Sequence, residues 1–236
     1  MRNRLASAIL LGIAVLLTAG CTSGPADIPY NPKIIPEDFV ATIDNPFMPL
    51  VPGTRMVYEG LTDAGRERID YFVTNETREV MGVTCVVVRD TVRLNGELIE
   101  DTYDWHAQDK NGNVWYFGED SKEYKNGKVV STTGSWEAGV DGAQPGIVMP
   151  ASPTPGPPFR QEYYAGEAED MAKVDRLGMS VTVPYGSFTG VLRTLEWTPL
   201  EPVFYEYKYY APGVGMVLEA LRGSRERVEL LSISRQ

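Results

Sequence analysis

The chain of 236 residues has little histidine, little cysteine and too few positive charges. A single histidine, His106, excludes a three-histidine zinc site and leaves a Ser-His-Asp triad only one candidate base. Lys and Arg number 22 against 32 Asp and Glu, a net charge of −10. That balance argues against nucleic acid and against adhesion to anionic head groups, both of which need clustered positive charge. Helical periodicity is also missing. After the first twenty residues no apolar stripe lasts three turns, and residues 165–174 offer a short helix at most. A nucleophile elbow is absent too, because Gly186-Ser187-Phe188-Thr189-Gly190 carries its serine one place early. Finally, the apolar run at 5–17 is too short to cross a bilayer, which takes roughly 20 residues.

That run reads instead as an address. Arg2 and Arg4 precede it, and it ends in Leu17-Thr18-Ala19-Gly20-Cys21. The ending resembles the bacterial lipobox, with Thr18 at the position three before the cysteine and Leu17 one place further back. The resemblance implies a signal helix at 1–20, cleavage before Cys21, and lipid attached to that thiol. Several acyl chains on one residue anchor a protein stably. The protein is therefore expected on the bacterial cell envelope, outside the cytoplasm. Without Arg2 and Arg4 the mature chain has 20 basic against 32 acidic residues, a net of −12. Cys85 is then left without a partner, inside Val83-Thr84-Cys85-Val86-Val87-Val88, where a buried, unreactive thiol is expected. Residues 21–40, with Gly24, Pro25, Pro29, Pro32 and Pro36, read as the lipidated cysteine and an extended linker. Residues 41–236 form the folded domain.

Within that domain, residues 102–131 are the reference stretch. Tyr103, Trp105 and Ala107 alternate with Asp104, His106 and Gln108, the period of a strand with one buried face. Asn95-Gly96, Asn111-Gly112 and Asn126-Gly127 each supply a tight hairpin turn. Residues 80–94 read as one β-branched run. Val203, Tyr205, Tyr207 and Tyr209 line one face of a later strand, with Glu206 and Lys208 on the other. In Val114-Trp115-Tyr116-Phe117 both faces are apolar and need cover. Roughly eleven strands joined by short turns predict an all-β fold, one antiparallel curved sheet forming an open or half barrel. A β-sandwich is the alternative. The Gly- and Pro-rich stretch 134–158 reads as a long loop that covers one end of the sheet or acts as a lid.

Candidate chemistry is sparse. On strand alternation His106 is expected on the solvated polar face, opposite Trp105. Asp109-Lys110-Asn111-Gly112-Asn113 begins like a calcium loop but has Asp120 where the bidentate glutamate is required, so a hairpin turn is expected and no metal is assigned. Glu162, Glu167, Glu169 and Asp170 form an acidic cluster that would serve a hydrolase only if the carboxylates converged in a cleft. The excess of aromatic residues is the remaining signal. Trp105, Trp115, Trp136, Tyr164 and Tyr207 are the candidate walls of a site for an apolar or sugar-like ligand. No cofactor and no catalytic residue is assigned. The alternative to a ligand-binding module is a lipoprotein that docks an envelope protein through an exposed sheet face.

The stretches DNPFMPLVPGTRMVYEG at 44–60, DWHAQDKNGNVWYFG at 104–118, GSWEAGVDGAQPGIVMP at 134–150 and YYAPGVG at 209–215 resemble a group of uncharacterised bacterial lipoproteins. That resemblance implies an envelope location and no activity. VPYGSF at 183–188, with Val191-Leu192 and YYAPGVG, is similar to lipoprotein-carrier-like half-barrels, which implies an open barrel.

Overall fold

Hairpin turns set the architecture of residues 30–235, the part of the chain that the computed structural model describes. Asn95-Gly96 and Asn126-Gly127 place successive residues at φ 52° and 89°, and at 53° and 71°. This is type I′ geometry, whose twist matches that of the flanking strands. The first turn joins β4 (Val83–Leu94) to β5 (Glu97–Asp109), and the second joins β6 (Val114–Lys125) to β7 (Lys128–Ser131). Asn111-Gly112 behaves differently, since only Gly112 has a positive φ. Here the Asp109 carboxylate accepts from the backbone N–H of Asn111 (2.9 Å) and of Asn113 (3.0 Å), an Asx-type turn. A further hairpin lies at Met81-Gly82, with φ 52° and 77°. It divides the expected run at 80–94 and separates β3 (Gly65–Val80) from β4.

The other strands are β1 (Phe39–Val40), β2 (Thr54–Thr62), β8 (Trp136–Glu137), β9 (Gln144–Met149), β10 (Phe159–Arg160), β11 (Glu162–Tyr163), β12 (Met171–Val183), β13 (Gly186–Trp197), β14 (Glu206–Ala211), β15 (Gly215–Leu221) and β16 (Arg227–Arg235). All sixteen belong to one antiparallel sheet, ordered β10-β12-β13-β14-β15-β16-β2-β3-β4-β5-β6-β9-β11, with β1 on β5 and β7 and β8 on β6. The two ends of that path, β10 and β11, are separated along the chain by Gln161 alone. Phe159 and Arg160 pair with Ala172 and Met171, while Glu162 and Tyr163 pair with Pro145 and Gln144. One short segment thus bridges both edges, and the sheet comes round nearly to a closed barrel. The expected all-β single sheet is the fold; a sandwich is not. Closure satisfies backbone groups that open edges would leave unpaired. At the seam the chain passes so close to Gly146 that a Cβ there would lie 2.3 Å from the Gln161 carbonyl carbon.

Three local expectations need correction. Residues 165–174 form no helix: a turn closes between Tyr164 and Ala168, and β12 starts at Met171. Among the described residues no helix is long and apolar enough to cross a membrane. The stretch 134–158 is partly sheet, since β8 and β9 pair with β6. Residues 30–40, read as linker, are seated on the barrel. The Tyr30 hydroxyl donates to the Pro145 carbonyl (3.1 Å), Phe39 and Val40 pair with Asp109 and Gln108, and the Phe39 ring meets Trp115 and Phe117 edge-on. The signal helix, Cys21 and the first part of the linker lie outside the described residues.

Two apolar clusters hold the sheet. One joins Ile43, Met48 and Leu50 to Val73, Cys85, Val87, Trp105, Phe117 and Met149. The other joins Met56, Tyr58, Ile69, Val191, Val217, Leu218 and Leu230. A fully buried Ile, Val or Leu contributes about 1.5–3 kcal/mol. Many other buried positions of the sheet are polar, and this is where alternation misleads. In β14 Tyr207 and Tyr209 take the face opposite Glu206 and Lys208 as expected, and it is Glu206, Lys208, Tyr210 and Ala211 that are buried, with Tyr207 and Tyr209 half-buried. In β5 every residue from Glu100 to Asp109 is buried except Tyr103, so the polar face of Asp104, His106 and Gln108 is as covered as that of Trp105.

Candidate functional site

The polar interior is built from strands that lie far apart along the sheet. His106 on β5 and Tyr116 on β6 face Glu196 on β13 and Lys208 on β14 across a cavity of about 20 Å³, whose wall also includes Val148, Gln161, Glu162 and Asp170. That volume suits one water molecule. His106, expected on the surface, is 1% exposed and stacks on Tyr116 with ring centroids 4.9 Å apart. Among the described residues neither of its ring nitrogens has a hydrogen-bond partner. Burial lowers its pKa to about 4, against an opposing pull from Asp104, so the ring is neutral.

Each neighbouring charge has an arrangement of its own. Tyr116 donates to Asp104 Oδ1 (2.6 Å). Lys208 Nζ lies 3.0 Å from Glu196 Oε2 and 4.0 Å from Glu219 Oε2. Thr194 and Tyr210 donate to Glu196 Oε1 at 2.7 and 3.2 Å. Burial alone would lower the Lys208 pKa, but Glu196, Glu206 and Glu219 outweigh it and hold the ammonium charged. Among the described residues Lys208 is the one buried lysine, set among carboxyls and sharing a cavity with a neutral histidine.

Glu162 and Asp170 also form part of a wider cleft of about 190 Å³. Its lining includes Glu119, Thr133, Gly166, Glu167, Thr198 and Glu201. Three of these carboxyls resist ionisation. Burial, with Asp104 and Glu100 nearby, pushes Glu119 up to about 8. Burial, with Asp170 and Glu119 nearby, holds Glu162 well above its ordinary range. Burial raises Asp170 to about 6, although Lys208 opposes the shift. The acidic cluster at 162–170 is thus divided. Glu162, Glu167 and Asp170 reach the cleft, whereas Glu169 accepts from the Gly166 N–H and lies near Arg160. Among the described residues no group of three or more His, Cys, Asp or Glu is arranged to hold a metal ion.

Four of the five aromatic candidates, Trp105, Trp115, Trp136 and Tyr164, lie in or against one apolar cluster, and Tyr207 stands apart from it. Trp136 is buried, donates to Glu162 Oε2 (3.0 Å) and packs edge-on against Tyr116, so it supports the cleft from behind. Trp105 lies in the same apolar cluster, covered by the Arg78 guanidinium at 4.0 Å. Trp115 donates to Asp109 Oδ2 (2.9 Å), which occupies the carboxylate of the calcium-like loop in a structural role. Tyr164 stands in the turn before β12, and Tyr207 lies under Arg193 (4.2 Å). Sequence reasoning singled out neither Glu119 nor Glu196 and named Lys208 only as lying opposite Tyr207 and Tyr209, because local pattern does not report which face of a closing sheet turns inward. Exposed large apolar residues such as Leu61, Val130, Leu177 and Val203 fall on separate elements.

These features define a nearly closed antiparallel barrel with a carboxyl-rich lumen and an acidic cleft at its seam. A solved structure named as a "putative lipoprotein" from Parabacteroides distasonis is similar to this chain at 13% identity, with a TM-score of 0.42 over 80% of this chain and 98% of its own. No family model and no curated protein matches the chain.

Proposed function

We propose that this protein is a lipid-anchored envelope module that holds a small, hydroxyl-rich, sugar-like ligand in the cleft of Glu119, Glu162 and Asp170 and performs no reaction on it. The lipid anchor is supported by the lipobox-like stretch ending at Cys21. The binding role is supported by one observation above all: carboxyls that burial keeps protonatable converge on an open space of about 190 Å³. A protonated carboxyl both donates and accepts hydrogen bonds, which complements the hydroxyls of a sugar-like molecule. An apolar ligand is less well served. The space lined by Met48, Leu50, Met56, Tyr58 and Met216 is only about 40 Å³, and the tryptophans are engaged in packing.

The test is native mass spectrometry of the protein purified from its own envelope, beside a variant with the cleft mouth filled, Thr133→Trp. A neutral small molecule retained by the natural chain and missing from the variant is the expected result. Retention that ignores the substitution, or no retained molecule and no saccharide binding, refutes the reading. Hydrolysis is the second reading. Carboxyls that titrate apart in one cleft, as Asp170 and Glu119 do, are also the equipment of glycoside cleavage. Turnover of glycosides that disappears in Glu119→Gln while binding persists would favour it.

A further inference from the structure

The outer wall of β2, β3 and β4 gathers four arginines, in a chain that is otherwise short of positive charge. Arg55, Arg68, Arg89 and Arg93, with Asp70, Phe72 and Thr91, line a groove of about 250 Å³. Antiparallel pairing produces the convergence. Arg55 lies opposite Phe72, Phe72 opposite Arg89, and Arg68 opposite Arg93, so residues dispersed in sequence share one patch. Composition alone argues against an anionic partner, but the register concentrates scarce cations where one could bind.

The guanidiniums are only partly engaged. Arg55 Nη1 reaches Asp70 Oδ2 (3.1 Å), and Arg68 pairs with Glu59. Arg89 grips Asp101 through Nε and Nη2, both at 2.8 Å, which leaves Nη1 available. Among the described residues the buried Arg55 Nε has no hydrogen-bond partner. Arg93 is exposed, and among the described residues it meets the Gly96 carbonyl at 3.4 Å and no carboxylate. Arg55 also lies over the Phe72 ring at 5.0 Å, which holds its plane in place.

We propose that this groove binds a small soluble solute bearing phosphoryl or carboxylate oxygens. Planar guanidinium forks match such oxygens in pairs. The space exceeds what a bare ion needs. Glu59, Asp70 and Asp101 stand among the arginines, and their charge opposes an extended polyanion or an anionic bilayer while leaving room for a compact anion. The proposal is independent of the cleft at the seam.

Isothermal titration calorimetry of the full chain in detergent tests it, with inorganic pyrophosphate in one arm and citrate in the other. Saturable binding of one or both is expected, weakening as salt is raised. Whichever anion binds more tightly identifies the oxygen chemistry. In Arg68→Ala/Arg93→Ala the affinity should fall roughly tenfold or more. Both side chains are exposed, so circular dichroism should show the fold intact. Arg176→Ala/Arg225→Ala, exposed arginines elsewhere on the barrel, should bind as the natural chain does. No binding of either anion, or an equal loss in the second double variant, overturns the proposal.

Discussion

Replacing Lys208 by methionine tests the claim that the barrel lumen is a closed polar interior. The Lys208 and Glu196 side chains are 7% and 6% exposed, and their charged atoms are 3.0 Å apart. Methionine fills nearly the same volume, so the perturbation removes charge with little change in packing. Glu196 is then left with the hydroxyls of Thr194 and Tyr210 but no cation, and Glu219 also loses its neighbour. Breaking a buried pair in this way costs about 3–5 kcal/mol. With an m-value of about 2–3 kcal/mol per molar urea, the unfolding midpoint should fall by roughly 1–2.5 M. A cycle with Glu196→Gln isolates the pair, and a coupling of at least about 2 kcal/mol is expected. A cost for Lys208→Met below about 1 kcal/mol, with coupling near zero, would mean that solvent reaches the pair. The closed lumen would then have to be abandoned.

Two further outcomes follow from the same interior. Folding stability should decline as pH rises from about 4 to 8, because two carboxyls with raised pKa outweigh one histidine with a lowered one. Glu119 and Asp170 titrate in the folded chain at about 8 and 6, above their ordinary 4.5 and 3.8. Their contribution is complete below those ordinary values and is lost as pH rises through 6 and then 8. His106 titrates at about 4, below its ordinary 6.5, so its contribution is present above 6.5 and lost as pH falls toward 4. Urea midpoints measured from pH 4 to 9 check the decline, which Glu119→Gln should flatten and His106→Gln should steepen. Cys85, fully buried and pushed up to about 12 by its surroundings, should resist thiol reagents at pH 8 until urea unfolds the chain.

Turn chemistry was the most readable part of the chain. Asn95-Gly96 and Asn126-Gly127 adopt the expected hairpin geometry because successive positive φ angles suit few other residue pairs. Met81-Gly82 hid the same turn behind an apolar residue in an unfavourable conformation, which only the pairing of β3 with β4 maintains. The expectation for His106 failed for a related reason. Alternation reports that two faces differ, and the usual rule assigns the polar one to water. In a sheet that closes on itself the polar face can point into the lumen, as it does at Asp104, His106, Glu206 and Lys208. The cleft shared this fate. Glu162 and Asp170 were visible as acidic residues, but their meeting with Glu119 depends on the return of β11 to β9.

The sequence by itself determined an antiparallel all-β chain, the hairpin turns at Asn95-Gly96 and Asn126-Gly127, and a buried Cys85. These are local properties, carried by side-chain period, backbone preference at particular residues and short motifs. Tertiary structure alone decided that the sheet nearly closes, that carboxyls and Lys208 face inward, and that four arginines share one wall. Each of these depends on which strands become neighbours, and that is set by long-range pairing at the seam and between the first and last long strands.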